Sequence, residues 1–365
     1  MIIEDVIHLL EEFAPLAYAE DFDNVGLLVG NKNNKLSGVL VTLDTLESVV
    51  DEAITNKCNF IVSFHPVIFK GLKKITGKTY VERVILKAIK HDIAIYAIHT
   101  ALDNALQGVN DGICNQLELI NKQILIPQTQ TIKKLTTFVP KEEAELLRNA
   151  LFKAGAGNIG NYSNCSFNTE GIGTFMGNDA SSPTKGIKGK THKEEETQIS
   201  VTYSKHLEAS ILKTLFQTHS YEEVAYEITT LENKNQHIGM GMVAELTEPM
   251  EESVFLNYLK SKMNVTHIRH SALLGQPIKK IAVLGGSGSF AIEAAKASGA
   301  QVFITADLKY HDFFTAENEI ILADIGHFES EQYTSELLEK AIKEKFPTFA
   351  VQKTGRNTNP VNYFL

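Results

Sequence analysis

The sequence predicts an α/β protein: a pseudo-duplicated αβ domain with a largely parallel sheet, interrupted by a smaller α+β insert. Three observations support this prediction. Short apolar runs alternate with helical stretches of about ten residues near both ends of the chain, which is typical of parallel strands covered by helices. The two ends can be laid over each other without gaps. The middle of the chain follows a separate pattern of strands and helices.

The first half of the duplicated domain begins with an amphipathic helix and then takes up a β-α-β pattern. The predicted elements are a helix over 5–13, a Gly- and Asn-rich turn at 22–26, a strand over 39–43, a helix over 46–56, and strands over 60–63 and 95–98. Apolar strands separated by helices predict parallel pairing, since a parallel connection needs a crossover element.

The second half repeats this pattern near the other end of the chain. Its predicted elements are a strand over 281–284, a helix over 290–298, and strands over 301–305 and 320–325. Laid over the first half, Val39 meets Ile281 and His65 meets Asp307. The correspondence favours an internal repeat, although any two βαβ units share part of it.

A stretch of different character separates the two halves. It divides the chain into a first half-domain at 1–130, an inserted domain at 131–232 and a second half-domain at 233–365. The predicted elements of the insert are a strand over 134–139, a helix over 141–154, a polar loop over 184–196, a strand over 198–203, a helix over 205–218 and a strand over 223–231. This order matches the split βαβ, or ferredoxin-like, plan. The ends of an insert are expected to meet at a surface loop of the parent domain.

Composition excludes several classes of function. The formal charge of −9 and the absence of a Lys/Arg block argue against binding to a nucleic-acid backbone. No apolar run approaches the ~20 residues of a membrane span, and the first twelve residues carry acids where a secretory signal is basic. Three widely spaced cysteines fit a reducing compartment. We therefore expect a cytoplasmic protein with no membrane or nucleic-acid partner.

Candidate functional residues follow the predicted strands, where ligands bind in open αβ sheets. Four of the twelve histidines lie at such strand ends beside carboxylates. These positions are His65, His99 with Asp103, Asp307 with His311, and His327 with Glu331. Imidazole and carboxylate without thiolate suit Zn, Mn or Fe, and several converging ligands are what a two-metal site requires. The pattern indicates a metal centre shared by the two halves.

Each candidate also has a structural interpretation. His65, which precedes a proline, fits a loop histidine bonded to backbone, and His327 with Glu331 fits a capping pair in solvent. Asp307 and His311 fit a supporting role, holding a ligand or simply the loop. The glycine-rich segment at 285–289 fits either a tight turn or a cradle for an anion. The joint placement at matching strand ends favours the metal interpretation.

Several segments spread along the whole chain resemble the Nif-three-like dinuclear metal centre family, also known as type 2 homologues of GTP cyclohydrolase I. They are Phe22-Asp-Asn-Val-Gly-Leu-Leu-Val-Gly30, Ser63-Phe-His-Pro-Val-Ile-Phe69, His99-Thr-Ala-Leu-Asp103, Gly108-Val-Asn-Asp111, Thr305-Ala-Asp-Leu-Lys-Tyr-His311 and Gly326-His-Phe-Glu-Ser-Glu331. The insert, with Ser220-Tyr-Glu-Glu-Val-Ala-Tyr226, resembles the PII-like domain of longer bacterial members.

The resemblance implies two divalent metal ions per subunit. Carried over position by position, the metal ligands are His65, Asp103, His327 and Glu331. The first histidine of the family's His-His-Pro segment is replaced by Phe64, which leaves one of the two ions a ligand short. The resemblance also implies a toroidal homohexamer whose metal sites face an internal cavity.

These features together predict a metal-dependent hydrolase that acts on a small phosphorylated or heterocyclic substrate, with His99 and His311 as proton carriers. The GTP-like substrate comes from the resemblance alone. A regulatory or scaffold protein is the leading alternative, with structural metals and a PII-like insert that senses a ligand. A ring-shaped module that binds nucleic acid or another protein is the third alternative.

Overall fold

The computed structural model describes residues 1–364 and confirms the α/β class. The chain divides into two compact units. The first contains Met1–Pro127 together with the chain from Gln236 onward, and the second contains Gln128–Asn235. Every predicted site residue therefore belongs to the first unit.

The helices are α1 (Ile3–Phe13), α2 (Glu47–Thr55), α3 (Tyr80–Lys90), α4 (His99–Asp103), α5 (Val109–Gln116), α6 (Ala144–Lys153), α7 (Glu208–Thr218), α8 (Glu252–Lys262), α9 (Ile292–Ala297), α10 (His327–Glu331) and α11 (Thr334–Lys345). The longer helices, such as α3, α6 and α7, bury an apolar face. Among the helices of residues 1–364, none has the length and apolar character needed to cross a bilayer.

The strands form three sheets. They are β1 (Gly26–Val29), β2 (Val39–Thr42), β3 (Phe60–Ser63), β4 (Ala94–Ala97), β5 (Ile120–Gln128), β6 (Ile132–Pro140), β7 (Phe167–Phe175), β8 (His192–Ser204), β9 (Tyr226–Leu231), β10 (Asn235–Met250), β11 (Arg269–His270), β12 (Ile278–Ser287), β13 (Val302–Ala306), β14 (Ile321–Asp324) and β15 (Val351–Lys353).

Two of the sheets belong to the first unit, and they are built around four and three parallel strands, respectively. The five-stranded sheet has the order β1-β4-β3-β2-β15, with only β1 antiparallel to its neighbour. The six-stranded sheet has the order β11-β14-β13-β12-β10-β5, in which β12, β13 and β14 are parallel while β11 and β10 pair antiparallel. The expected single sheet is thus two mixed sheets.

The strand registers support the internal repeat. Val39 pairs with Phe60 in the first sheet, and Ile281 pairs with Val302 in the second. These pairs occupy matching positions in the ungapped superposition of the two halves. The carboxyl ends of β3 and β13 consequently present residues 65 and 307 at equivalent places.

Alternating side chains explain how the two sheets are buried. Val39 and Val41 of β2 join one hydrophobic core with Ile281 and Val283 of β12, while Leu40 faces a separate cluster with helices α2 and α3. Because successive strand residues point to opposite faces, each sheet is apolar on both sides. The shared core fixes the two halves of the repeat as one unit.

The second unit has its own core and an antiparallel sheet of order β7-β8-β6-β9. Helices α6 and α7 supply Leu147, Leu151, Ile211 and Leu215 to that core. The element order βαββαβ is the ferredoxin-like plan. The expected polar loop over 184–196 is shorter than predicted, since β8 begins at His192.

Candidate metal centre

Three side chains from the two halves of the repeat converge on one point. His65 follows β3, and helix α10 carries His327 and Glu331 at i, i+4 after β14. Glu331 Oε2 lies 3.2 Å from Nε2 of His65 and 3.2 Å from Nε2 of His327. One candidate ligand atom from each residue lies within 4.8 Å of the others. The i, i+4 spacing therefore brings His327 and Glu331 to the same point, and the pair is not a capping pair in solvent.

These separations fit a divalent cation. In a tetrahedral site with bonds of about 2.0–2.1 Å, neighbouring ligand atoms are roughly 3.3 Å apart. Glu331 is buried, and its Oε2 forms no well-aligned hydrogen bond within residues 1–364, although the Nε2 atoms of both histidines lie 3.2 Å away. A buried carboxylate needs a positive charge beside it, so the arrangement is suited to a cation at this point.

Each histidine is oriented by a second carboxylate. His65 Nδ1 lies 2.9 Å from Asp44 Oδ1, and His327 Nδ1 lies 2.6 Å from Asp307 Oδ2. With Nδ1 donating to a carboxylate, Nε2 is left to face Glu331. Carboxylates that fix the ring and tautomer of a metal-binding histidine are a recurring feature of metal sites. Asp307 thus has the supporting role that was one of its two interpretations.

The charges at the centre shift the pKa values strongly. Burial alone would lower the pKa of His65, but Asp44 and Glu331 outweigh it and raise the pKa to about 10. The carboxylates of Glu331 and Asp307 raise the pKa of His327 to about 9 against the effect of burial. Burial opposes ionisation of Glu331, yet the two imidazoles lower its pKa to about 2. Without metal, the centre is a buried cluster of two imidazolium groups and a carboxylate.

Asp103, at the end of α4, lies beside this cluster. Its Oδ1 is buried and has no hydrogen-bond partner in the described part of the chain. Burial and the neighbouring charge of Glu331 raise the pKa of the Asp103 carboxyl well above its usual range. Asp103 is not one of the three residues whose ligand atoms converge. Its Oδ1 is an orphaned acceptor next to the centre.

His99 is held beside His65 by a separate carboxylate. His99 Nδ1 lies 2.9 Å from Asp23 Oδ1, and Asp23 also accepts from the backbone N–H and hydroxyl of Thr100. Burial works against the Asp23 carboxylate, but these donors lower its pKa to about 2. The ring centroids of His99 and His65 are 5.1 Å apart. His99 is therefore a fixed imidazole in contact with a candidate ligand.

The remaining predicted positions lie in different surroundings. His311 is exposed and packs against the rings of Tyr310 and Phe314. Phe64 is fully buried, with its ring centroid 4.9 Å from that of His65 and 5.5 Å from that of His99. Phe64 therefore supplies an apolar wall at the position where the family resemblance implies a histidine ligand.

The glycine-rich segment at 285–289 supports Glu331. The Gly285 N–H donates to Asn110 Oδ1 and the Gly286 N–H donates to Ser330 Oγ, so neither amide is available to an anion. Gly286 has a φ of +70°, and a Cβ there would come within 2.4 Å of Glu331 Oε1. The close-packing interpretation of this segment is the one that the structure favours.

A cavity of about 360 Å³ opens onto the centre. His65, His327 and their partners Asp44 and Asp307 line one side, and Arg269 contributes a cation to the wall. The volume suits a small molecule of nucleoside size. A ligand in this cavity would lie next to both imidazoles.

Sequence reasoning missed Asp44 and Asp23 as supports of the histidines. Asp44 follows β2, a strand end like those that carry the other candidates. Asp23 lies in the Phe22–Gly26 turn, whose resemblance to the family segment was the available signal. Both acids act on residues far away in sequence, so spacing alone could not assign them.

Fold and site together define an α/β protein with a duplicated core and a candidate divalent-metal centre shared by its halves. A model of the DUF34/NIF3 (NGG1p interacting factor 3) family matches residues 1–360. The chain belongs to the DUF34/NIF3 family, which confirms the resemblance seen in its sequence motifs.

Individual relatives are similar over their full length. A "GTP cyclohydrolase 1 type 2 homolog" from Bacillus subtilis is 38% identical over 99% of this chain and 98% of that protein. The crystal structure of a Bacillus cereus protein related to NIF3 matches with a TM-score of 0.86 and 35% identity, covering 100% of this chain and 99% of that chain. Staphylococcus aureus protein SA1388 matches with a TM-score of 0.79 and 30% identity, covering 100% and 99%.

Proposed function

We propose that the protein is a divalent-metal-dependent hydrolase that acts on a small nucleotide-like or heterocyclic substrate. The observation that carries the proposal is the convergence of His65, His327 and Glu331 beside an open cavity. A catalytic metal site needs such access for substrate, whereas a structural site is closed. A relative named "GTP cyclohydrolase 1 type 2 homolog" supports the nucleotide-like substrate class.

His65, His327 and Glu331 would hold the ion, with Asp103 as a further ligand from the adjacent helix. A bound divalent ion supplies Lewis acidity and lowers the pKa of water toward ~7. Asp44 and Asp307 hold both rings with Nε2 directed at Glu331, where the ion would be bound. Arg269 on the cavity wall is paired with Asp324, and carboxylates outnumber cations in the lining, so attraction of a phosphorylated substrate would depend on the bound cation.

His99 is the proton carrier that best fits this geometry. Asp23 holds Nδ1, so Nε2 is the atom available for proton transfer. The contact between the His99 and His65 rings places that proton next to the centre. His311, the second candidate, is exposed among aromatic rings and remains a prediction from sequence.

The family resemblance supports two ions per subunit, a homohexamer and a PII-like character for the insert. Phe64 bears on the first of these, because its buried ring offers no ligand beside His65 and His99. We expect one tightly held ion and a second, weaker one that depends on Asp103.

The test is turnover of GTP and related nucleotides by purified, metal-loaded protein. We expect a hydrolytic product from at least one nucleotide, and loss of about 100-fold or more in rate in Glu331→Gln, because that substitution removes a ligand charge. Glu336→Gln is the matched control, since Glu336 is exposed and pairs with Lys353 at the surface.

Full metal occupancy without turnover across a broad nucleotide panel would contradict the hydrolase. That result would favour the alternative of a metal-binding regulatory or scaffold protein. The observation that favours this alternative is a cavity in the second unit, whose lining includes none of the candidate metal ligands.

A further inference from the structure

A second cavity, of about 520 Å³, lies entirely within the unit formed by Gln128–Asn235. The cavity lies on one face of the antiparallel sheet, and helices α6 and α7 pack against the other face. Its floor comes from β6, β7 and β8, and its rim comes from the segments 176–185 and 221–225. None of the candidate metal ligands belongs to this unit. The volume is sufficient for a small organic molecule.

Glu196 is positioned on the floor of this cavity. The Tyr221 hydroxyl donates to Glu196 Oε1 at 2.8 Å. No hydrogen bond among residues 1–364 uses Oε2, which leaves that oxygen open to a ligand. A Cβ on Gly173 would come within 2.1 Å of Oε2, so the glycine provides the space in which the carboxylate lies. The carboxylate is thus held in one orientation before any ligand arrives.

Aromatic rings form the walls around Glu196. Phe138, Phe175 and Tyr221 all line the cavity. The Phe175 and Tyr221 rings lie 5.7 Å apart, inclined at 61°. Aromatic faces bind flat apolar groups and attract cations through the negative charge of the ring face. The walls therefore suit a ligand with an apolar body and a positive group.

The charges of the residues that line the cavity also favour a positively charged ligand. Glu196, Glu222 and Glu223 face a single cation, Lys185. That ammonium group is already paired, because it lies 2.8 Å from Glu142 Oε1 and 3.5 Å from Glu194 Oε1. The cavity is net negative, which opposes phosphates and carboxylates and favours cations.

We propose that the inserted unit binds a small organic cation, an amidinium or protonated amine on an aromatic body, with Glu196 as its counter-ion. Two parallel hydrogen bonds from an amidinium match the carboxylate geometry, and the rings of Phe138, Phe175 and Tyr221 enclose the body. This site is separate from the metal centre and goes beyond the proposed hydrolase, whose substrate would occupy the other cavity.

The test is calorimetric titration of the full-length, metal-stripped protein with benzamidine. We expect saturable binding of one molecule per chain and no saturable binding of benzoate, which has a similar shape and the opposite charge. In Glu196→Gln, benzamidine affinity should fall by about tenfold or more, because a charge-assisted pair is lost. Glu195→Gln is the matched control, since Glu195 is the next residue of β8 and points to the other face.

A second variant separates geometry from charge. Gly173→Ala keeps every carboxylate but places a methyl group where the Glu196 carboxylate lies, so it should also weaken benzamidine binding while Glu195→Gln does not. Circular dichroism checks that each variant is folded. Absence of saturable binding to wild-type protein, equal binding of benzoate, or unchanged affinity in folded Glu196→Gln or Gly173→Ala would overturn the proposal. The first two comparisons use wild-type protein and need no variant.

Discussion

At the scale of single residues, opposite charges stabilise each other in the candidate metal centre. The spacing of residues in the sequence identifies some of these groups and misses the carboxylates that support the histidines. The i, i+4 pair His327 and Glu331 and the strand-end His65 were candidates from the sequence, and the structure brings their ligand atoms together. Two imidazoles and one carboxylate without a metal are charged at neutral pH. The same two Nε2 atoms, once deprotonated, and the same carboxylate would hold a divalent ion.

Asp307 provides the first prediction. Its Oδ2 lies 2.6 Å from His327 Nδ1, so Asp307→Asn should weaken metal binding by about 10–100-fold, the usual effect of removing a partner of a metal-binding histidine. Asparagine has a similar shape and tolerates the positive φ of 57° at this position. Metal titration with a competing chelator measures the change.

Asp51→Asn is the control for that prediction, because Asp51 pairs with Lys87 on the surface. The control should leave metal affinity unchanged. If Asp307→Asn bound metal as tightly as the wild type, Asp307 would not be a support of His327.

The raised histidine pKa values provide the second prediction. At pH 7 the metal-free protein carries protons on His65 and His327, with pKa values of about 10 and about 9, so metal binding must release them. Affinity should rise with pH, by up to about tenfold per pH unit for each proton released. Calorimetry in buffers of different ionisation heat counts the protons.

In the metal-free protein, folding stability falls as pH rises, which is the opposite of the expected change in metal affinity. A raised histidine pKa stabilises the fold below the unfolded value near 6.5, and this contribution is lost as pH rises through about 9 to 10. The difference in Tm between metal-loaded and metal-free protein should therefore widen from pH 6 to pH 8. A constant difference, together with no proton release, would contradict the protonated cluster.

At the scale of elements, strands that are continuous apolar runs were predictable, whereas β7 and β10 were not predicted. Strand β3 was predicted at its observed bounds, and β2 to within one residue, because both are continuous apolar runs. By contrast, β7 is exposed along most of its length, and β10 contains Gly239 and Gly241 at positive φ. Their pairing depends on partners distant in sequence, which local pattern does not record.

The end of β12 provides the third prediction. At Gly286 a side chain would be strained by the positive φ and would also clash with Glu331 Oε1. Gly299, with a φ of +75°, has the same strain but no atom within 4 Å of its Cβ position. Replacing either glycine by alanine should cost about 1–2 kcal/mol in unfolding free energy from backbone strain. Only Gly286→Ala should also lower metal affinity, because it displaces the Glu331 carboxylate.

Denaturant unfolding and chelator competition on both variants separate the two effects. Equal metal affinity in Gly286→Ala and Gly299→Ala would show that the close approach of Gly286 to Glu331 has no part in positioning the ligand.

At the scale of the whole molecule, duplication explains why a site assembled from residues 65 and 331 could be anticipated. The ungapped superposition placed candidate side chains at equivalent strand ends, and the registers of β2–β3 and β12–β13 agree with it. The presence of two sheets could not be foreseen, because strand partners are decided by which apolar faces share a core. The shared core that contains Val39 and Ile281 brings the two strand ends together.

The insert provides the last prediction. Strands β5 and β10 are neighbours in the six-stranded sheet, and a Cβ on Gly239 would lie 2.2 Å from the Ile126 carbonyl oxygen. The chain therefore leaves the first unit at Pro127 and returns at Gln236 beside the same strand pair. Replacing residues 129–234 by a short Asn-Gly turn should give a folded protein, since the two strands are hydrogen-bonded neighbours and the insert has a separate core.

The shortened protein should keep the metal affinity of the full chain within about threefold, because all ligands and their carboxylate partners lie in the first unit. It should lose benzamidine binding completely, since Glu196 and the aromatic walls are removed. Metal titration and calorimetry on the same sample measure both. A folded product without metal affinity would mean that the insert completes the centre, while retained benzamidine binding would place the cation site outside the insert.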